Sequence, residues 1–157
     1  MRTLLLRLIC AGLLALSLFS CRGVLDGAVL SAGQYLPGNA VFSDFKKGYG
    51  LICLFDLECS DCRSELEIVD SLYLLHRDSV VFLAVGRDHD SSQIASYWEE
   101  HDLSVPFADD PDREIYNKFA TSVVPRNYLT SNNKIVGLWA DIPIMSAESF
   151  EEALHKN

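Results

Sequence analysis

The chain is poor in cysteine, with five among its 157 residues. Small secreted domains that depend on disulfide bonds for stability are much richer in cysteine. A length of 157 residues instead allows one domain with a hydrophobic core of ordinary size. We therefore expect apolar packing, rather than a disulfide framework, to stabilise the fold.

Basic residues are also scarce. Lys and Arg number 13 against 22 Asp and Glu, which gives a net charge of -9. Without residues 1–20, which contain Arg2 and Arg7 but no acid, the balance is 11 - 22 = -11. A surface this acidic is repelled by nucleic-acid phosphates and by anionic lipids. The composition therefore argues against nucleic-acid binding, and any attachment to a membrane has to use something other than a basic patch.

The apolar stretch near the N-terminus is too short to span a bilayer comfortably. It runs from Leu8 to Phe19 and stops at Ser20-Cys21-Arg22-Gly23, whereas a spanning helix needs about 20 apolar residues. Arg2 and Arg7 provide a positive start before it. This pattern predicts that residues 1–20 are a targeting signal peptide.

The end of that stretch resembles a bacterial lipoprotein signal. In such signals a small residue precedes a cysteine that receives lipid after cleavage, as Ser20 precedes Cys21 here, although the bulky Phe19 departs from the pattern. The resemblance implies lipidation at Cys21, a tether over residues 21–40 and a location on the periplasmic face of a bacterial membrane. The alternatives are an ordinary cleaved signal, giving a soluble periplasmic or secreted protein, and a retained N-terminal anchor.

Export changes the number of thiols in the folded part. Cys10 is discarded with the signal and Cys21 is acylated, which leaves Cys53, Cys59 and Cys62. In an oxidising compartment, one closely spaced pair plus one cysteine in a strand favours a working dithiol over structural reinforcement. The C-x-x-C spacing alone also fits half of a zinc site or a static crosslink.

Apolar patterns over residues 41–157 predict alternating strands and helices. Continuous apolar runs at 51–55 and 80–86 predict buried strands. Helical spacing and capping residues predict helices from Cys62 to about residue 76 and over 91–101, 112–119 and 146–155. Residues 105–107 are predicted as a short extended link, and 126–130 and 134–139 as paired strands. This order predicts a three-layer α/β/α sandwich with a central mixed sheet.

The order of parts resembles the thioredoxin fold, and more narrowly the exported redoxins related to the TlpA and ResA thiol-disulfide oxidoreductases. The resemblance covers about residues 41–156. It rests on the turn 45–50 leading into strand 51–55, the dithiol followed by Arg63-Ser64-Glu65, Asp-Pro-Asp at 110–112 and Ser122-Val123-Val124-Pro125 before a strand. The chain departs from the family at Glu58 and Asp61, where Trp and Pro are usual, and at Glu67, where a proline is common.

The resemblance implies a role for each residue of a catalytic site. Cys59 is the exposed nucleophile, Cys62 resolves the mixed disulfide, and Glu65 exchanges protons with Cys62. Val124 and a cis Pro125 present backbone to the incoming chain. No cofactor or metal is implied, and the partners are protein thiols or disulfides together with an upstream reductant.

Two residues near the dithiol have simpler explanations. For Glu65, a solvated helix acid is an equal alternative to a proton carrier. Cys53 occupies the strand position where cytosolic thioredoxins keep a buried acid, and we expect it to be a small core residue.

Acidic residues beside the dithiol predict the direction of its chemistry. A helix N-terminus stabilises a thiolate, but Glu58 and Asp61 disfavour new negative charge, and Arg63 offsets them only in part. Because a stabilised thiolate makes a strong oxidant, the potential is expected toward the reducing end of a range of about -270 to -120 mV. The sequence therefore predicts a reductase or isomerase.

Two other functions for the same fold are weighed against this one. A binding module would use Cys59 and Cys62 for copper or as an inert disulfide, but copper chaperones space their cysteines one residue wider and add a histidine. A peroxiredoxin-type peroxidase carries Thr or Ser three residues before its reactive cysteine, where this chain has Asp56. Asp88-His89-Asp90 resembles a metal cluster, but polar loops are expected after a strand.

Overall fold

The computed structural model describes residues 27–140 and 145–156. The predicted signal peptide 1–20, the lipidation residue Cys21 and the start of the tether lie outside the described residues. Within the described ranges, no helix is long and apolar enough to cross a membrane.

A five-stranded mixed sheet forms the middle of the described domain, with strand order β3-β2-β1-β4-β5. Strands β1, β2 and β3 are parallel, whereas β4 is antiparallel to both β1 and β5. The strands are β1 Tyr49–Phe55, β2 Val80–Arg87, β3 Phe107–Asp110, β4 Arg126–Ser131 and β5 Lys134–Trp139. The helices are α1 Ser60–His76, α2 Ser91–His101, α3 Tyr116–Phe119 and α4 Ala147–Lys156, with a 3-10 helix at Ala40–Lys46.

Helices cover both faces of the sheet, because the central strand is apolar on both of its sides. Alternate side chains of a strand point to opposite faces. One set from β1 packs with α1, α2 and α4, and the other set packs with the 3-10 helix and α3. The predicted three-layer α/β/α sandwich is confirmed.

The edge strand β3 differs from the sequence prediction. Residues 105–107 were expected to form a short link, but Phe107 pairs with Ala84 and the strand continues to Asp110. A four-residue edge strand that is only partly buried has no long apolar run to reveal it, and charged residues are common on sheet edges.

The short helix after β3 is also shorter than the predicted 112–119, since it begins at Tyr116. The last residue of β3, Asp110, binds the backbone at the start of this helix. Its carboxylate accepts hydrogen bonds from the backbone nitrogens of Ile115, at 2.9 Å, and Tyr116, at 2.7 Å.

The second half of the predicted tether packs against the domain. Leu36 is 6% exposed, and isolated β-bridges join Ala28 to Ala120 and Tyr35 to Lys134. The folded domain therefore extends back at least to Gly27, ahead of the boundary expected at residue 41. The lipid-attached tether stays a prediction for residues 21–26.

Candidate active site

The two closely spaced cysteines lie at the junction of β1 and α1. After β1 ends at Phe55, four residues lead to the first turn of α1, and Cys59 is its N-cap residue in an extended conformation. Cys62 lies within that first turn. The positive end of the helix dipole is therefore directed at the dithiol, which favours a thiolate there.

The two thiols differ in their access to solvent. Cys59 is half-buried, whereas Cys62 is fully buried, and both are free thiols. Burial raises the pKa of Cys62 well above its usual value, against a smaller lowering by a backbone hydrogen bond at Asp56, and the Cys59 thiol and the Asp56 charge raise it further. Cys59 is thus the sulfur that a large substrate can reach. The predicted roles of nucleophile and resolving cysteine require this asymmetry.

The predicted cis peptide bond is present between Val124 and Pro125. It precedes β4 and lies beside the dithiol, because the Cys59 thiol donates to the carbonyl of Val124 at 3.8 Å. Val124 and Pro125 are partly exposed. The structure therefore brings both predicted substrate-binding residues next to Cys59.

Two side chains that the sequence did not single out hold this proline loop. Val123 has a φ of 70°, a conformation that β-branched residues rarely adopt. Its carbonyl accepts from the Tyr116 hydroxyl at 3.0 Å and from the Arg126 Nε at 3.1 Å. Arg126 is fully buried and also donates to the carbonyl of Ser122 at 3.2 Å. The loop geometry therefore depends on buried tethers beneath it.

Glu65 is on the inner face of α1 and has 0% exposure. Its Oε1 accepts a short hydrogen bond from the amide of Asn127, a residue of β4, while its Oε2 has no hydrogen-bond partner among the described residues. Burial raises the pKa of Glu65 to about 7, against a smaller lowering by the Asn127 hydrogen bond. The solvated-acid alternative is wrong, and a carboxyl group that titrates near neutral pH lies beneath the dithiol.

Cys53 is a fully buried core residue, as the sequence suggested. It pairs in register with Asn127 across β1 and β4. Burial raises its pKa far above the usual value, and the charges of Glu65 and Cys62 raise it further. Cys53 therefore stays a neutral thiol close to the buried side chains of Glu65 and Cys62.

A second set of polar residues lies at the carboxyl ends of β1 and β2. Asp56 accepts from Arg87 at 3.0 Å and from the backbone nitrogen of Glu58 at 3.0 Å, and its Oδ1 lies 3.1 Å from His89 Nε2. The backbone nitrogen of Leu57 donates to the same His89 nitrogen at 3.1 Å. Burial of Asp56 opposes its charge, but the hydrogen bonds from the Glu58 nitrogen and from Arg87 hold the pKa of Asp56 below its usual value.

Sequence reasoning missed this set, although a signal for it exists. Asp56 was considered only for a peroxidase motif, and His89 only for a metal. Because parallel neighbouring strands end at the same edge of a sheet, residues that follow β1 and β2 have to lie close together. Among the described residues, no group of three or more His, Cys, Asp or Glu could hold a metal ion.

A family model described as thioredoxin-like matches residues 48–136. The chain belongs to the thioredoxin-like family. The matched region includes the dithiol, Glu65 and the cis proline. A comparison with curated protein sequences found no match.

Solved structures with the same fold include several redox proteins. A candidate protein disulfide isomerase from Bacteroides thetaiotaomicron is 21% identical with a TM-score of 0.71, over 83% of this chain and 89% of that chain. A thiol:disulfide interchange protein from Bacteroides sp. is 20% identical with a TM-score of 0.66, over 81% and 90%. A secreted disulfide oxidoreductase from Mycobacterium tuberculosis is 12% identical with a TM-score of 0.64, over 73% and 86%.

These likenesses confirm the thioredoxin fold. A thioredoxin-like fold with Cys59 and Cys62 close together is the arrangement of a thiol-disulfide oxidoreductase, in agreement with the enzyme class predicted from the sequence.

Proposed function

We propose that the protein is an exported thiol-disulfide oxidoreductase that acts on cysteines of envelope proteins. One observation supports this most strongly. The partly exposed Cys59 is the N-cap residue of α1, three residues before the buried Cys62, and its thiol lies 3.8 Å from the Val124 carbonyl, next to the cis Pro125. This arrangement gives a nucleophile, a resolving group and an exposed backbone edge for a substrate.

The reaction begins when the Cys59 thiolate attacks one sulfur of a substrate disulfide. A Cys59–substrate disulfide forms, and the other substrate sulfur leaves as a thiolate that takes up a proton. Cys62 then loses its proton and attacks Cys59, which forms the Cys59–Cys62 disulfide and releases the second substrate thiol. The substrate is reduced by two electrons and the dithiol is oxidised by two. An upstream reductant has to return the dithiol to its reduced form.

The resolving step requires removal of a proton from a buried thiol. The pKa of Cys62 is far above the ambient pH because of burial. Glu65 is buried one turn further along α1 and has a pKa of about 7, and within residues 27–140 and 145–156 one of its carboxylate oxygens has no hydrogen-bond partner. A carboxyl group of this pKa can both accept and return a proton near neutral pH.

The test is reduction of insulin disulfides by the purified protein, with Cys59→Ser and Cys62→Ser as variants. We expect no activity from Cys59→Ser, and a trapped covalent complex with substrate from Cys62→Ser. Activity of Cys59→Ser equal to that of the unchanged protein would refute the proposal.

The direction proposed is reduction or isomerisation. Glu58 and Asp61 are exposed next to the dithiol, and the Asp56 carboxylate lies close by, so the surroundings of the thiols are acidic. Such surroundings disfavour the thiolate and make the disulfide form comparatively stable. A measured potential near -120 mV would instead identify a strong oxidant.

Export and lipid attachment at Cys21 complete the proposal, with a location on the periplasmic face of a bacterial membrane. The signal-like residues 1–20 support export, and a protein of similar fold from Mycobacterium tuberculosis is described as secreted. In a bacterial host, labelled palmitate should be incorporated into the full chain but not into Cys21→Ala. Unlabelled full chain in the soluble periplasmic fraction would favour an ordinary cleaved signal.

A further inference from the structure

The four residues that join β1 to α1 are held at successive points of their backbone. The backbone nitrogen of Leu57 donates to the His89 ring. The backbone nitrogen of Glu58 donates to the Asp56 carboxylate, and that of Cys59 donates to the Asp56 carbonyl at 3.1 Å. The carbonyl of Leu57 accepts from Arg63 at 3.1 Å. The position of the nucleophile is therefore determined by hydrogen bonds that converge on this segment.

Two of these bonds, from the Leu57 and Glu58 nitrogens, depend on one group of three side chains at the ends of two strands. Asp56 follows β1, Arg87 ends β2, and His89 lies two residues beyond it. His89 is 8% exposed, and the Arg87–Asp56 pair is mostly buried. Arg87 is fixed from its other side by the ring of Tyr116, 4.9 Å from its guanidinium. The group is thus rigid, and it is anchored in the sheet and in the residues around α3.

We propose that Asp56, Arg87 and His89 are positioning residues that hold the Cys59 segment and make the dithiol more reducing. This inference rests on the proposed function, since it concerns the same dithiol. On this inference, residues outside the C-x-x-C segment help to determine the reactivity of the dithiol, and His89 is one of them.

The Asp56 carboxylate is expected to act through charge as well as through hydrogen bonds. The Glu58 and Cys59 nitrogens both bond to Asp56, so its negative charge lies beside the dithiol and repels the charge of a thiolate there. A dithiol whose thiolate is disfavoured is a weaker oxidant, because the reduced form gains less stabilisation. Removal of the Asp56 charge should therefore stabilise the reduced form, and the Arg87 cation, left with Asp88 as its ion-pair partner, would act in the same direction.

The experiment measures the equilibrium between the Cys59–Cys62 disulfide and glutathione in the purified protein. Two glutathione thiols reduce the disulfide, giving the Cys59–Cys62 dithiol and one glutathione disulfide. Asp56→Asn keeps an oxygen that can accept from the Glu58 nitrogen but removes the charge. We expect its equilibrium to shift about tenfold toward the reduced form, equal to about 30 mV. The matched control is Arg113→Gln, which breaks an exposed ion pair with Asp88 and should leave the equilibrium within twofold.

The hydrogen-bonding part is tested with a pair of His89 variants. His89→Ala leaves the Leu57 nitrogen without its acceptor, and we expect insulin reduction to slow about tenfold. His89→Gln provides an amide oxygen within reach of the same nitrogen and should recover most of the rate. Thermal unfolding of both variants is measured alongside. If His89 had a purely structural role, its substitutions would lower the melting temperature, and His89→Ala and His89→Gln would reduce insulin at the same rate.

The outcomes separate this inference from the proposed function. If the unchanged protein fails to reduce insulin, the proposed function fails, but the glutathione equilibrium still tests the charge effect. If the unchanged protein is active and Asp56→Asn shifts the equilibrium by less than twofold, the charge effect is refuted. Equal rates for His89→Ala and the unchanged protein would refute the positioning role.

Discussion

At the scale of single residues, the buried acid beneath the dithiol comes from a helix and not from a strand. Cys53 takes the strand position where cytosolic thioredoxins keep an acid, and Glu65 reaches the same buried region from α1. Asn127 on β4 donates to one oxygen of that carboxylate, and the other oxygen has no hydrogen-bond partner in the described part of the chain. The buried carboxyl and the strand thiol are therefore two separate residues that lie close together in the interior.

The substitution Glu65→Gln should remove a pH dependence from the free energy of unfolding. The folded pKa of Glu65 is about 7, raised from 4.5 by burial, so the native state keeps a proton that the unfolded chain loses near pH 4.5. The stabilisation is complete below pH 4.5 and is lost as the pH rises toward 7, by about 3 kcal/mol in all. Denaturant unfolding of the reduced protein between pH 4 and 8 should show this slope, and Glu65→Gln should flatten it.

The same variant tests the catalytic role of Glu65. Insulin reduction at pH 7 should slow by about tenfold or more, because the amide that replaces the carboxyl group cannot exchange a proton with Cys62. Glu67→Gln, an exposed acid on the same helix, is the control and should behave like the unchanged protein. A flattened stability slope with an unchanged rate would leave Glu65 a purely structural acid.

At the scale of secondary-structure elements, Asp70 ties α1 to the segment between α2 and β3. Its Oδ1 accepts from the backbone nitrogens of Ser104 and Val105, both at 2.7 Å. The Val105 carbonyl in turn accepts from the Trp98 indole at 2.8 Å. This contact fixes the entry to the edge strand, which has little apolar burial of its own.

Asp70→Ala should therefore destabilise the fold while leaving the dithiol chemistry unchanged. The substitution leaves two backbone donors without their acceptor, and we expect a loss of about 2–3 kcal/mol in the free energy of unfolding. Urea denaturation measures the loss, with the exposed Asp78→Ala as the control, expected within about 0.5 kcal/mol. If Asp70→Ala lowered the free energy of unfolding as little as the control, the hydrogen bonds to Ser104 and Val105 would contribute nothing to stability.

At the scale of the whole molecule, the segment that enters the domain is part of the fold. The backbone carbonyl of Gly27 accepts from Thr121 at 2.7 Å, and Leu36 is buried in the core layer that includes Phe42 and Tyr128. The entry segment therefore begins beside the proline loop and runs to the core on that face of the sheet.

A chain that begins at Gly27 should fold as stably as one that begins at Cys21, whereas a chain that begins at Asn39 should not. Loss of the buried Leu36 side chain alone should lower the free energy of unfolding by about 1.5–3 kcal/mol, and loss of the β-bridges should lower it further. Thermal unfolding of the three chains measures the effect, and insulin reduction reports whether the proline loop is disturbed. Equal melting temperatures for all three would show that the entry segment contributes nothing to stability.

The sequence alone determined most of the fold and the position of the dithiol. Strands 51–55 and 80–86 are buried on both faces, so they appear as continuous apolar runs, and the helix after Cys59 follows from helical spacing of its apolar residues. The cis proline before β4 was expected from the family resemblance of residues 122–125. These features depend on short stretches of chain, which is why a linear pattern could predict them.

Tertiary structure alone decided which polar groups surround the thiols. Asn127 reaches Glu65 because of the register between β1 and β4, and His89 reaches Leu57 because β1 and β2 are neighbours in the sheet. The inward orientation of Glu65, left open by the sequence, follows from how α1 packs on the sheet. Strand order, register and helix packing bring together residues that are far apart along the chain, and a local pattern of residue types does not specify them.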